Sequence, residues 1–354
     1  MFKLLPYLKL CVEKKGSDLF FTANALPQLK IEGELVPIGK TALTREFITE
    51  VVESMLSAQQ QQQLAEQLEL DLATEAGGLG RFRVNIFNQR GSLGMVLRHI
   101  SAQVPTLDSL GGMPPVLKDL VLQKRGLILM VGATGSGKST TLAAMLRHRN
   151  EVSAGHILTI EDPIEYLHPN LRSIVNQREV GQDTHSYEAA LKSALREAPD
   201  VILVGETRTR ETMDACIQLA NTGHLALSTL HANNAAQALQ RIINLYPQML
   251  RDQLYMDLSM TLRAIISQRL VKRPDGRRVA AMEVMVNTPY LQELILHKRV
   301  DEIPAAMVQS SDKGMLTFDN ALFALYRSGT ISLDEALINA DSRSNLEAKI
   351  NFGG

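Results

Sequence analysis

The sequence predicts an α/β fold: a parallel sheet covered by helices on both faces, preceded by a separate α+β module and followed by a small helical appendage. Three observations predict it. Short apolar runs alternate with helical patterns from Leu127 onward, a glycine-rich loop joins the first of those runs to a helix, and a stretch rich in Pro and Gly separates this region from what precedes it. At 354 residues the chain exceeds a comfortable single core, so more than one domain is expected.

In chain order, residues 1–103 read as the α+β module. It holds the alternating segments Leu19–Thr22, Gln28–Ile31 and Arg81–Phe87, the apolar strand Gly94–Ile100, and a helical stretch from Arg45 to Leu70. The glutamine run Gln59–Gln63 inside that stretch reads as a solvated helix surface. Pro105, Gly111, Gly112, Pro114 and Pro115 mark residues 104–115 as a linker. Over residues 116–288 the runs Leu127–Val131, Ile157–Ile160, Val201–Val204, Leu225–Thr229 and Val279–Met285 are almost wholly apolar, as parallel strands buried on both faces are. Residues 289–341 are helical in pattern, with Met315, Phe318, Leu322 and Leu325, then Leu333, Ala336 and Leu337, at three- and four-residue spacings. The tail 342–354 shows too little periodicity to place.

The loop after the first core strand reads Gly132, Ala133, Thr134, Gly135, Ser136, Gly137, Lys138, Ser139, Thr140, a complete phosphate-binding P-loop in its strand-to-helix setting. Its glycines let backbone N–H groups turn inward onto phosphate oxygens, with the positive end of the following helix behind them. Lys138 is expected to reach the β- and γ-phosphates, and Ser139 supplies the kind of hydroxyl that holds Mg²⁺. ATP and Mg²⁺ are therefore the expected cofactors.

Acidic groups follow at the ends of two later strands. Asp200-Val-Ile-Leu-Val-Gly-Glu206 has the form of a Walker B segment, which makes Glu206 the candidate for activating the attacking water, directly or through the magnesium shell. Glu161, Asp162 and Glu165 cluster after Ile157–Ile160, where Pro163 stops the strand and turns the carboxylates toward its carboxyl end, the side on which ligands sit in open α/β sheets. Like charges this close call for a cation between them, which Mg²⁺ with its water provides. His224 and His231 bracket Leu225–Thr229. No third ligand stands at metal-binding spacing, leaving two readings, a satisfied core imidazole or a sensor of the γ-phosphate.

Composition narrows the function classes. With 37 Lys and Arg against 38 Asp and Glu there is no global basic field for nucleic acid or anionic lipid. Cys11 and Cys216 are the only cysteines and form no metal or disulfide framework, which suits a reduced, cytoplasmic protein. No apolar run is long enough to span a bilayer, and Lys3, Lys9, Glu13, Lys14 and Lys15 break the N-terminal pattern of a signal peptide, so membrane association is expected to be peripheral.

These segments together carry a family resemblance. The P-loop, Thr159-Ile-Glu-Asp-Pro-Ile-Glu165, Val204-Gly-Glu-Thr-Arg208, and Thr222-Gly-His with Thr229-Leu-His-Ala-Asn233 resemble the Walker A, Asp, Walker B and His boxes of the type II/IV secretion ATPases in order and spacing. Gly16-Ser-Asp18, Arg81-Phe-Arg-Val-Asn85 and Gln89-Arg-Gly91 resemble the pilus-retraction ATPases of the PilT and PilU group. The resemblance implies a RecA-like P-loop ATPase core, a PAS-like N-terminal domain, and a hexameric motor assisting type IV pilus retraction and twitching motility. It implies that Glu165 is the Asp-box catalytic glutamate, Glu206 the Walker B glutamate, and Arg83 and Arg98 the arginines that reach the phosphates. A guanidinium also suits the charge on a transferring phosphoryl group on physical grounds.

Two departures refine this. The tetracysteine element and longer N-terminal extension of the assembly ATPases are missing, which points to retraction. Where principal retraction motors usually carry Ala-Ile-Arg-Asn-Leu-Ile-Arg, this sequence reads Pro289-Tyr-Leu-Gln-Glu-Leu-Ile-Leu296, and Ala198-Pro-Asp200, Ser267-Gln-Arg-Leu270 and Gly314-Met-Leu-Thr-Phe-Asp319 look more like PilU than PilT. The implied partners are copies of itself, a PilT-type motor and a PilC-type platform protein at the inner-membrane base of the pilus, with no nucleic acid and no membrane insertion. The other reading is a nucleotide-binding structural subunit that recruits a second motor without needing its own hydrolysis.

Overall fold

The structure, a computed structural model, describes residues 3–31, 33–100, 103–310 and 314–352. It divides into two compact units, Met1–Gln103 together with Glu165–Leu167, and Val104–Ile164 together with His168–Gly354.

The first unit runs α1 (Leu5–Glu13), β1 (Asp18–Thr22), β2 (Gln28–Ile31), β3 (Glu34–Pro37), α2 (Arg45–Met55), α3 (Ala58–Gln67), β4 (Glu69–Ala76), β5 (Gly80–Gln89) and β6 (Ser92–Ile100). Its six strands form one antiparallel sheet in the order β3-β2-β1-β6-β5-β4. Phe82, Val84 and Ile86 point from β5 into a core with Phe21, Leu19, Ile48 and Leu8, while the residues between them face outward, the alternation of a half-buried strand. The single helix expected over Arg45–Leu70 is two helices and the start of a strand. Leu56 is extended, and Ser57 begins a new helix with a capping box in which Ser57 and Gln60 satisfy each other's backbone N–H groups. Leu68 then turns left-handed and Leu70 lies in β4. The glutamines lie on the solvent side of α3, Gln62 bonding Glu66 and Gln63 bonding Gln67.

The second unit runs α4 (Val116–Val121), β7 (Gly126–Val131), α5 (Lys138–Val152), β8 (Gly155–Glu161), β9 (Ser173–Glu179), α6 (Tyr187–Ala194), β10 (Val201–Val204), α7 (Arg210–Asn221), β11 (Leu225–Leu230), α8 (Ala235–Asn244), α9 (Arg251–Thr261), β12 (Leu262–Lys272), β13 (Arg278–Val286), α10 (Pro289–Leu296), α11 (Ile303–Gln309), α12 (Phe318–Arg327), α13 (Leu333–Asn339) and α14 (Arg343–Phe352). Its sheet has the order β13-β12-β7-β11-β10-β8-β9. On β7, Leu127, Leu129 and Val131 pack with helices α6 to α10, and Ile128 and Met130 pack with α4 and α5 on the other face. Two cores on two faces explain why the strand is apolar at every position.

The expectation of a wholly parallel sheet is corrected at one edge. Val279–Met285 belongs to β13, which pairs antiparallel with β12, and β12 in turn lies parallel to β7. The 11-residue β12 and the edge strand β9 were not foreseen: β9 reads Ser-Ile-Val-Asn-Gln-Arg-Glu, too polar to stand out as a core strand. The tail is also corrected, since α14 buries Leu346 against Phe318, Leu322 and Leu337; Gly353 and Gly354 lie outside the described residues. Cys11 and Cys216 are free buried thiols, and no described helix is long and apolar enough to cross a membrane.

Candidate functional site

The parallel register brings the carboxyl ends of four strands to one edge. Val131 lies opposite Leu230, and Val204 lies opposite both Ser228 and Ile160, so the residues that follow β7, β8, β10 and β11 emerge side by side. Those residues are Gly132, Asp162, Gly205-Glu206 and His231.

The P-loop is shaped by β12 as much as by its own glycines. Gln268 Nε2 donates to the carbonyl of Ser136 at 2.7 Å, while Gln268 Oε1 accepts from Thr141 Oγ1 at 2.7 Å, so one buried side chain grips the loop and the first turn of α5. A Cβ at Gly132, where φ is +153°, would stand 2.5 Å from the main-chain oxygen of Gln268. One at Gly137, φ +86°, would stand 2.8 Å from its Nε2. Main chain outside the motif thus requires glycine at 132, whereas at 137 glycine is favoured by the left-handed backbone and by the end of the Gln268 side chain. Lys138 begins α5 and donates to the carbonyls of Gly132 and Ala133, each at 2.9 Å, which sets its charge at the centre of the loop. The buried Ser136 hydroxyl has no hydrogen-bond partner among the described residues, which fits a ligand oxygen there. Ser139 stands one residue into the helix.

Glu206 follows the four-residue strand β10, whose residues are all buried. Arg208 Nη2 donates to Glu206 Oε2 at 2.7 Å, and His231 Nε2 lies 3.2 Å from Glu206 Oε1. The carboxyl is held below its ordinary range, first by the Arg208 hydrogen bond and further by the charges of Arg208, His231 and Lys138, against the effect of burial. The turn is fixed from behind, since Thr229 Oγ1 donates to the Gly205 carbonyl at 2.6 Å and Thr207 N donates to the Thr229 carbonyl at 2.9 Å. Gly132, Ala133, His231, Asn233, Gln237 and Arg241 help line a cavity of about 490 Å³ beside the loop.

Of the acidic cluster, Glu161 accepts from Thr159 Oγ1 at 2.6 Å and from Gln177 Nε2 at 3.2 Å, and Asp162 is exposed. Glu165 is exposed and groups with the first unit. Tyr187 was missed by sequence reasoning, because a tyrosine opening a helix carries no motif. Its hydroxyl lies 2.8 Å from where a Cβ on Gly205 would be, and burial together with the charges of Asp162, Glu161 and Glu206 pushes it well above the usual phenol range.

His224 is a correction. It precedes β11, at the amino edge of the sheet, where its Nδ1 meets Thr222 Oγ1 at 3.1 Å and the Leu219 carbonyl at 3.2 Å; six strand residues separate it from the edge that carries the P-loop and His231. Parallel pairing puts the two ends of one strand at opposite edges, so only one of two bracketing histidines can reach the loop of its own chain. In the first unit, Arg83 and Arg98 are register partners on β5 and β6. Arg98 Nε donates to the buried Asp18 at 2.7 Å, and Arg83 lies 3.7 Å from Asp71.

Residues 47–295 match the family described as Type II/IV secretion system protein. The chain is 52% identical over 98% of its length to the type IV pilus ATPase PilU of Pseudomonas aeruginosa, covering 91% of that protein. It is 40% identical over 93% of its length to the type IV pilus retraction ATPase PilT of the same organism, covering 95% of it. The crystal structure of the pilus retraction motor PilT with bound ADP superposes with a TM-score of 0.91 at 38% identity, covering 97% of this chain and 98% of that one. The Legionella pneumophila ATPase DotB gives 0.82 at 26% identity, covering 95% and 94%.

Proposed function

The chain belongs to the Type II/IV secretion system protein family, and on that premise we propose that it is a Mg²⁺-dependent ATPase that acts as an accessory motor in type IV pilus retraction. One observation supports the hydrolytic part above the others: Lys138, an ionised Glu206 and His231 stand together at the carboxyl edge of a parallel sheet, beside a buried serine hydroxyl that has no partner among the described residues.

In this reading the P-loop amides and Lys138 hold the β- and γ-phosphates. Glu206, kept ionised by Arg208, orients the attacking water and takes its proton, with His231 fixing the carboxylate from the other side. The oxygen donors Ser139, Glu206 and Asp162 suit Mg²⁺. Such an ion neutralises charge on the phosphates. Glu165 assists Glu206, and Arg83 and Arg98 counter charge on the transferring phosphoryl group. Six copies form a closed ring, since a heterologous interface either closes or grows into a filament. The ring works in the cytoplasm, peripheral to the inner membrane, with a PilT-type motor and a PilC-type platform protein.

Support for the accessory role comes from Pro289–Leu296, which departs from the Ala-Ile-Arg-Asn-Leu-Ile-Arg that principal retraction motors usually carry. Pilus retraction is to be imaged in cells whose sole retraction ATPase is this chain, then in cells that also carry a PilT-type motor with an inactivating Walker substitution. No retraction in the first strain and restored retraction in the second, dependent on Lys138 and Glu206 of this chain, is expected. Robust retraction in the first strain would make it a principal motor.

A further inference from the structure

Arg269 follows the Gln268 that grips the P-loop, and strand alternation sends its side chain to the opposite face of β12. There its guanidinium serves two parts of the second unit. Toward the C-terminal helices, Nη1 donates to the Asn339 carbonyl at 2.8 Å and Nη2 to Asp341 Oδ1 at 2.6 Å. Toward the site, Nη2 also donates to the carbonyl of Asn233 at 3.3 Å, two residues past His231. The guanidinium carbon lies 3.8 Å from the ring centroid of Phe318, which confines the fork to this plane.

Both ends of this bridge are anchored. The Asp319 carboxylate accepts from the backbone N–H groups of Asp341, at 2.9 Å, and Ser342, at 3.3 Å, and so sets the turn between α13 and α14. On the other side, the buried Glu283 accepts from Ala235 N at 2.8 Å and from Ser267 Oγ at 3.0 Å, which pins the start of α8. Between Ala235 and the end of β11, Arg269 is the side chain from β12 that holds the loop carrying His231.

We infer that Arg269 is a positioning residue through which the C-terminal helices set the place of His231 against Glu206. The turn at 339–342 holds the guanidinium and the guanidinium holds the Asn233 carbonyl; anything that draws that turn away releases the loop and slows hydrolysis. A lysine cannot do the same work, because one ammonium on a flexible stem does not present the planar fork that spans both partners. The consequence for turnover rests on the ATPase reading above, whereas the mechanical coupling does not.

The test uses the full-length protein with Arg269→Lys and, separately, Asp341→Ala, reading amide hydrogen exchange at residues 231–235 alongside kcat and KM for ATP. Asp341 is tied by hydrogen bonding to Arg269, and its charge also bears on Glu283, which holds Ala235 N, so an effect confined to Ala235 belongs to Glu283 and one at 231–234 to Arg269. Each variant should raise exchange at 231–234 roughly tenfold, the consequence of losing one charge-assisted hydrogen bond, and lower kcat roughly 3–10-fold with KM unchanged. Wild-type exchange at 231–234 in both variants overturns the inference. Wild-type protein with no ATPase activity overturns the functional reading alone, and the exchange data still decide the coupling.

Discussion

Glu206 and His231 meet across neighbouring parallel strands, the carboxylate just past β10 and the imidazole just past β11, with 3.2 Å between Oε1 and Nε2. Neither residue is near the other in sequence; the register that aligns Val204 with Ser228 creates the pair. The contact makes the carboxylate a hub, with Arg208 on its other oxygen and the Lys138 charge close enough to favour ionisation.

Glu206→Gln should retain nucleotide binding and hydrolyse at least ~100-fold more slowly, the scale of losing a positioned general base. Lys138→Ala should lose binding as well. Fluorescent-nucleotide titration beside phosphate release separates the two, and wild-type turnover in Glu206→Gln would remove that residue from the mechanism.

Tyr187→Phe removes a hydroxyl set among Glu161, Asp162 and Glu206 while keeping the ring. A single hydrogen bond of ordinary strength corresponds to a fall in kcat of about 3–10-fold, with KM unchanged. Steady-state kinetics on a protein of unaltered melting temperature checks it, and an unchanged kcat would reduce Tyr187 to packing.

The two arginines of the first unit should behave differently. Arg83 makes a long contact to an exposed Asp71, so Arg83→Ala should lower turnover with stability within about 0.5 kcal/mol. Arg98→Ala also strips the charged partner from Asp18, whose side chain is 6% exposed and keeps the Ser17 hydroxyl on its other oxygen, and should destabilise by ~1–3 kcal/mol. Urea melts of both variants test the difference.

Burial pushes the His168 imidazole from 6.5 down to about 4. The folded chain therefore declines a proton that the unfolded chain accepts in that interval. The stabilisation is complete above pH 6.5 and is lost as pH falls through about 4. Thermal melts across this window should show a shallower decline in His168→Gln than in wild type; parallel curves would contradict the assignment.

How much of this the sequence discloses depends on the range of the signal. The P-loop, the Walker B strand and the apolar runs of the core strands are local patterns, and the structure holds a strand or loop at each. Gln268 and Tyr187 lie 132 and 18 residues respectively from the backbone they meet at Ser136 and Gly205, so no spacing rule connects them. His224 precedes its strand, and the rule that ligands sit at the carboxyl ends of parallel strands already sets it apart from His231 in the sequence. The break between α2 and α3 hid because Leu56, Leu64 and Leu70 continue an apolar rhythm through a serine cap, and β9 hid because an edge strand can be mostly polar.

Position 268 also decides what drift the P-loop can tolerate. At 137 the obstacle to a side chain is the Gln268 amide, so shortening residue 268 first would open space there, and asparagine, which accepts a left-handed backbone best, would be the first replacement to try. At 132 the obstacle is main chain, which no substitution at 268 removes. The two glycines of one motif thus have unequal futures: one is negotiable in a lineage that has already changed its neighbour, and the other stays fixed for as long as β12 runs beside β7.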